Sequence, residues 1–118
     1  LEPDHTLTLT DNEPLLWISG WCATSQEILD QNLMVMEIRL YVDGYFINPK
    51  YYWSRDYGSD GPQNPSFCRG VYILIDSWRE GTTCLEAQYA ILEPLSDGWT
   101  EYPRGPISSY FCVTLDLE

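Results

Sequence analysis

Aromatic side chains gather in two stretches of this sequence that are otherwise rich in turn-forming residues. One stretch covers residues 50–70 and the other covers residues 93–106. Flat aromatic faces can stack on sugar rings or anchor a protein partner, because tryptophan and tyrosine offer a large contact area with few torsions to restrict. The alternative is that the rings fold back over the ends of the domain as small hydrophobic clusters. The candidate ligand-binding residues are Trp53 and Tyr57 in the first stretch and Trp99 and Tyr102 in the second.

The first stretch also carries a candidate metal site. Asp56 and Asp60 lie close together in the sequence, and a glycine follows shortly after each of them. Calcium binds through about six to eight oxygen ligands, and glycines allow a chain to wrap tightly around the ion. The segment lacks the regular ligand spacing and the terminal glutamate of an EF-hand loop, so an ordinary turn is the alternative. The sequence indicates no other cofactor.

Catalytic groups are harder to find. Nucleophilic catalysis by a serine or a cysteine needs a histidine that the fold positions. The sole histidine, His5, lies in a predicted edge strand, where we expect an exposed side chain. Paired carboxylates can hydrolyse glycosides, but the 18 acidic residues of this chain must form some close pairs by chance. We therefore expect no enzymatic activity.

Charge and length limit the class of protein. The 118 residues suit one domain, residues 1–118, with 18 acidic and 6 basic side chains and a net charge of -12. Such a field repels phosphate groups, so nucleic acid is not an expected partner. No apolar run reaches the roughly 18 residues of a membrane-spanning helix, so we expect no membrane insertion. Strand signals begin at His5 and end near Glu118, which favours a piece of a longer protein.

The cysteines point to a compartment. Zinc sites usually place two ligands on one short loop, but no Cys-x-x-Cys pair occurs here and the histidine is distant from every cysteine. Two disulfides are therefore favoured over a metal site and over free thiols. Disulfides imply an oxidising, extracellular or cell-surface location. The four residues are Cys22, Cys68, Cys84 and Cys112.

The elements that position these residues are strands. Met36–Val42 alternates apolar with polar side chains and ends at Asp43-Gly44, the pattern of a half-buried strand followed by a tight turn. We expect Ile38, Leu40 and Val42 to face the core. With this strand there are seven strand candidates, at residues 5–10, 15–23, 36–42, 45–47, 71–75, 82–92 and 109–117.

The remaining segments are less regular. Residues 24–32 suit a loop better than a helical turn, so no helix is predicted. Residues 50–70 form either one long loop or two short strand fragments joined by a loop. Residues 71–75 are apolar at both parities, which is typical of a strand covered on both sides. Gly20 inside a strand indicates a bulge or close contact with a neighbouring backbone.

Several short motifs occur in a familiar order. They are Leu16-x-Ile18-x-Gly20-Trp21-Cys22-Ala23, then a strand ending in Tyr41-Val42-Asp43-Gly44, then Gly81-Thr82-Thr83-Cys84-Leu85-Glu86-Ala87, and a closing strand from Tyr110 to Leu117. Together they resemble bacterial immunoglobulin-like and fibronectin-III-like modules. The resemblance spans nearly the whole chain and implies an immunoglobulin-like antiparallel β-sandwich of about seven strands. The aromatic stretches and the four cysteines depart from the usual pattern.

The resemblance also implies how the cysteines pair. In such a sandwich the second and fifth strands are antiparallel neighbours, which brings Cys22 near Cys68. The sixth and seventh strands are neighbours as well, which sets Cys84 opposite Cys112. The alternative joins Cys22 to Cys84 between the sheets, as antibody domains do.

The function expected from the resemblance is that of a non-catalytic module of a larger bacterial surface or secreted protein. Such a module acts as a spacer or as an interaction and adhesion domain, and its partners are the other domains of the parent protein and a protein or polysaccharide ligand. The alternative is a carbohydrate-binding module that uses Trp53, Tyr57, Trp99 and Tyr102.

Overall fold

Strands dominate the structure, a computed structural model that describes residues 5–59 and 66–117. In these residues a single α-helix, α1 (Gln26–Met34), follows the second strand, and a 3-10 turn covers Pro49–Tyr51. The prediction of an all-β protein is confirmed. The ten strands of the described residues are β1 (His5–Leu9), β2 (Leu15–Ala23), β3 (Met36–Val42), β4 (Tyr45–Phe46), β5 (Trp53–Ser59), β6 (Ser66–Ile75), β7 (Gly81–Ile91), β8 (Leu95–Ser96), β9 (Glu101–Tyr102) and β10 (Gly105–Leu115).

The strands form two main sheets and a small hairpin. One sheet has five strands in the order β1-β10-β7-β3-β4, and the other has three in the order β2-β6-β5. All neighbours are antiparallel except β1 and β10, which are parallel, so the larger sheet is mixed and not antiparallel throughout as expected. The short strands β8 and β9 pair with each other.

The core lies between the two sheets. Leu40 of β3 and Ala87 of β7 form a buried cluster with Val71 and Ile73 of β6, so side chains of both sheets meet. Leu40 is buried, and Ile38 and Val42 pack against the buried clusters, which confirms the expected inward parity of β3. The three tryptophans on or beside strands, Trp17, Trp21 and Trp78, are likewise packed against the body.

The prediction of a loop at residues 24–32 is wrong, because α1 occupies most of this segment. The Ser25 side chain caps the helix by accepting a hydrogen bond from the Ile28 backbone N–H. Leu29 is fully buried against Trp21 and Met36, and Leu33, one turn later, packs against the same cluster. A polar cap followed by this i, i+4 spacing was the available sequence signal for a helix.

Residues 50–70 follow the second of the two alternatives, since they contain β5 and the first half of β6. Trp53 and Tyr57 therefore lie on a strand and not on a loop. The predicted strand at 71–75 begins earlier, at Ser66. Within residues 93–106, β8 and β9 form a hairpin. Asp60 lies outside the described residues.

Both expected disulfides are present, and they join Cys22 to Cys68 and Cys84 to Cys112. Each bond connects residues that lie directly opposite on neighbouring strands, with a Cα–Cα distance of 4.1 Å. One bond therefore lies in each sheet. The alternative pairing of Cys22 with Cys84, which would have crossed between the sheets, is wrong.

Candidate functional site

The side of the three-stranded sheet that points away from the core, here called the outer face, is mainly apolar, although the exposed Arg55 also lies on it, opposite Gly70. Leu16 lies opposite Leu74, and Ile18 lies opposite Tyr72, which in turn lies opposite Trp53. Residues that are directly opposite, or two apart on one strand, share a face of a sheet. These pairings define an apolar platform made of Leu16, Ile18, Trp53, Tyr57, Tyr72 and Leu74.

The platform is open to solvent. Five of its six side chains retain between 47% and 54% of their surface, and Tyr72 retains less. Tyr72 is more covered because its ring stacks on Trp53, with centroids 5.9 Å apart and planes inclined by 17°. The solvated side of an antiparallel sheet normally carries polar residues. An exposed apolar patch on such a side is a candidate binding surface.

Two glycines lie on the same face as the platform and leave room for close contacts. Gly20 and Gly70 are directly opposite each other, between the Ile18 and Cys22 positions of β2. A Cβ atom on Gly70 would come within 2.5 Å of the Tyr72 hydroxyl, so the ring lies over this glycine. A Cβ atom on Gly20 would come within 2.5 Å of the Arg69 carbonyl oxygen, which confirms the close backbone contact indicated by the sequence.

The four aromatic candidates do not form one site. Trp53 and Tyr57 share the outer face, whereas Trp99 is exposed on the turn of the β8–β9 hairpin. Tyr102 packs edge-on against the buried Trp21, with ring centroids 5.1 Å apart. Tyr102 therefore belongs to one of the hydrophobic clusters, as the alternative interpretation proposed for all of these rings.

Sequence reasoning missed the aliphatic half of the platform. Leu74 was expected to be covered on both sides of its strand, but the structure covers only the opposite parity. Leu16 and Ile18 alternate with Trp17 in β2, so this strand is also apolar at both parities. The two faces of such a strand look alike in sequence.

Asp56 of the candidate calcium site already accepts hydrogen bonds from other side chains. The Arg69 guanidinium binds its carboxylate with two N–H donors, and the Gln26 amide donates a third hydrogen bond at 3.3 Å. Hydrogen bonding from Arg69 lowers the pKa of Asp56. A cation there would have to displace Arg69. Within residues 5–59 and 66–117, no cluster of three or more histidine, cysteine or acidic side chains is placed to hold a metal.

The outer face of the five-stranded sheet is different. Around the Cys84–Cys112 bond, the Thr82 and Thr114 hydroxyls are hydrogen-bonded at 2.9 Å. The Glu86 carboxylate accepts hydrogen bonds from Ser108 at 2.8 Å and from Tyr110 at 3.2 Å. Polar side chains near this bond therefore satisfy one another, whereas the same face carries an aromatic pair, Tyr41 and Phe46, at the β3–β4 edge, with ring centroids 5.7 Å apart.

His5, considered above for catalysis, is the first residue of β1, which is an edge strand of the larger sheet. In the described part of the chain, no helix has the length and apolar character needed to cross a membrane. In comparisons with known proteins, no family model, curated protein or solved structure matches the chain.

Proposed function

We propose that this chain is a non-catalytic, immunoglobulin-like recognition module of a larger bacterial surface or secreted protein. It binds a protein partner through the apolar platform. The observation that carries the proposal is the exposure of Leu16, Ile18 and Leu74 beside Trp53 and Tyr57 on one sheet face. These side chains do not hold the core together, and a partner that covers them removes apolar surface from water.

Strand order supports the immunoglobulin-like assignment. The order β2-β6-β5 corresponds to strands B, E and D of that fold, and β10-β7-β3 corresponds to G, F and C. The first strand differs from strand A of that fold, because β1 pairs with β10 and not with β2. The two disulfides support an extracellular or cell-surface location, since such bonds persist in oxidising compartments.

A sugar ligand is the second candidate, and the Trp53–Tyr72 stack favours it. The two rings are nearly parallel, and Trp53 leaves about half of its surface free. Aromatic rings in this arrangement suit the apolar face of a pyranose. The aliphatic half of the platform offers no hydrogen bonds to hydroxyl groups, however, which is why we place a protein partner first.

Retention on immobilised targets tests both candidates. The full chain would be applied to a panel of immobilised extracellular proteins and insoluble polysaccharides, together with Leu74→Asp, Trp53→Ala and a control, Thr8→Asp. Thr8 is an exposed strand residue of the other sheet. We expect retention on at least one protein, loss of at least tenfold in affinity for Leu74→Asp, and no change for Thr8→Asp.

The other outcomes are equally informative. Retention on polysaccharide alone, lost in Trp53→Ala but kept in Leu74→Asp, would replace the protein partner with the sugar candidate. Retention that survives both platform variants, or no retention on any target, would overturn the proposal that this face is a binding surface.

A further inference from the structure

A second feature of the molecule is the edge of β2 that faces away from β6. This strand pairs with β6 on one side only, and no described strand lies on its other side. The Cα–Cα distance of 4.1 Å between Cys22 and Cys68 identifies them as a pair without mutual backbone hydrogen bonds, for which roughly 4.5 Å is usual. In an antiparallel ladder, pairs without mutual backbone hydrogen bonds recur at every second residue. Leu16, Ile18 and Gly20 therefore direct their backbone N–H and C=O groups away from β6.

A contact from the opposite sheet confirms this direction. The backbone N–H of Gly20 donates to the Tyr89 hydroxyl at 3.3 Å, and the same hydroxyl is 2.5 Å from the Ser19 hydroxyl. Tyr89 thus occupies the edge at Gly20. In the described part of the chain, the outward backbone groups of Leu16 and Ile18 have no such partner.

An apolar groove accompanies this edge. Its volume is about 750 Å³, and its lining includes Trp17, Leu85 and Phe111 from between the sheets and Ile18 and Tyr57 from the outer face. A strand placed beside β2 would point alternate side chains into the groove and onto the platform. Both sets of side chains would meet apolar surface.

We propose that the β2 edge accepts an extended segment of a partner protein as an added strand, paired with the backbone of Leu16 and Ile18. The segment is apolar at both parities where it passes these residues, and basic at the end that lies next to Leu15. Main-chain hydrogen bonds supply affinity in this mode of recognition, and side-chain contacts supply specificity. The inference rests on the proposed recognition role and names the kind of partner.

The basic end follows from charge at the Leu15 end of β2. Exposed carboxylates lie just before β2, at Asp11 and Glu13, and just after β6, at Asp76 and Glu80. The side chain of Asn12 holds these two segments together through hydrogen bonds with the backbone N–H and C=O of Trp78, at 3.1 and 3.2 Å.

The nearest cation in sequence does not neutralise this group, because Arg79 forms an ion pair with Asp43 at 3.2 Å. A lysine or arginine of the partner would meet several carboxylates at this end. A second copy of the chain is a poor occupant, since two molecules of net charge -12 repel each other.

The test uses selected peptides and the unmodified chain. A displayed library of random peptides about ten residues long would be selected on the full chain, and one binder would be synthesised with single N-methyl groups at successive amides. In an added strand alternate amides face β2, so methylation should weaken binding about tenfold at every second position, the value of one hydrogen bond, and little in between. The intervening positions are the matched control.

Two further readouts locate the site. Amide hydrogen exchange at Leu16 and Ile18 should slow in the complex, and Ile18→Pro should weaken binding about tenfold while Ile18→Val does not. Proline is tolerated here because the N–H of Ile18 faces the open edge.

Strand addition is wrong if selection yields no binder, if methylation shows no alternation, or if exchange at Leu16 and Ile18 is unchanged. The selected peptides should also carry lysine or arginine at one end, and binders without them would remove the charge argument. The proposed binding role of the platform can be tested independently of strand addition. Protein retention that is lost in Leu74→Asp but kept in Ile18→Pro would preserve the platform as a binding face and exclude strand addition.

Discussion

Each of the two sheets of this domain contains one disulfide, but the side chains around the two bonds differ. Each has a disulfide between directly opposite residues on its outer face. Around Cys84–Cys112, hydroxyls and a carboxylate pair with one another. Around Cys22–Cys68 lie Ile18, Tyr57 and Gly70, over which the Tyr72 ring lies. Since both sheets already bury their inner faces, the core does not depend on this apolar outer face, which supports the proposed binding role.

This difference predicts which side chains contribute to the stability of the fold and which contribute to binding. The polar side chains around Cys84–Cys112 form local hydrogen bonds, so their removal should lower the free energy of unfolding. Side chains on the apolar platform are half exposed, so their removal should mainly affect a partner. The disulfides should matter about equally in the two sheets, because their contribution depends chiefly on the unfolded chain.

The largest effect is expected from the disulfides. Removing Cys22–Cys68 or Cys84–Cys112 by paired substitution to alanine should lower the free energy of unfolding by about 4 kcal/mol in each case. The first bond closes the longer loop, with a sequence separation of 46 against 28, so its loss should cost about 0.4 kcal/mol more. Urea denaturation of both variants measures the two values. A difference well above 1 kcal/mol would show that the sheets do not depend equally on their bonds.

Two leucines that differ in burial should also differ in their contribution to the free energy of unfolding. Leu40 is 1% exposed in the five-stranded sheet, and Leu74 is 53% exposed on the platform. Leu40→Ala should cost about 3 kcal/mol, whereas Leu74→Ala should cost about 0.5 kcal/mol or less. Chemical denaturation compares them directly. Similar costs would mean that Leu74 supports the fold, contrary to its proposed role in binding.

The polar outer face should show an intermediate effect. Glu86→Ala removes the acceptor shared by Ser108 and Tyr110 and should lower the free energy of unfolding by about 1–2 kcal/mol. Glu86→Gln keeps an acceptor oxygen and should recover part of this loss. Thermal unfolding of the two variants separates the lost hydrogen bonds from the lost charge. No loss in Glu86→Ala would remove the distinction between the two faces.

The smallest effect concerns pH and the Asp56–Arg69 pair. Because Arg69 lowers the pKa of Asp56 below its usual value of 3.8, the pair stabilises the protein above that value. The contribution is lost as pH falls through the lowered pKa. Both side chains are partly exposed, so it should not exceed about 1 kcal/mol. Asp56→Asn should therefore be less stable than the parent at pH 7, and the difference between the two proteins should be smaller near pH 2. If the difference in stability between Asp56→Asn and the parent were the same at both pH values, this prediction would be wrong.

Alternation along the chain was sufficient to predict the β class, the inward side of β3 and, with the resemblance to immunoglobulin-like modules, both disulfides. Alternation was not sufficient where both parities are apolar. Leu16 and Ile18 could not be distinguished from Trp17 as solvent-facing residues, because local sequence does not say which face a second sheet covers. Helix α1 was missed because its buried residues include a polar one, Asn32, which accepts a hydrogen bond from the Trp21 indole.

The β1–β10 pairing has a consequence for mechanical load. β1 and β10 are the first and last strands of the described chain, and they are parallel neighbours over His5–Leu9. A pull on the amino end of β1 and the carboxyl end of β10 would slide one strand along the other. Their hydrogen bonds would then break together instead of one after another, which requires more force. The Cys84–Cys112 bond would keep β10 attached to β7, so β1 would detach first.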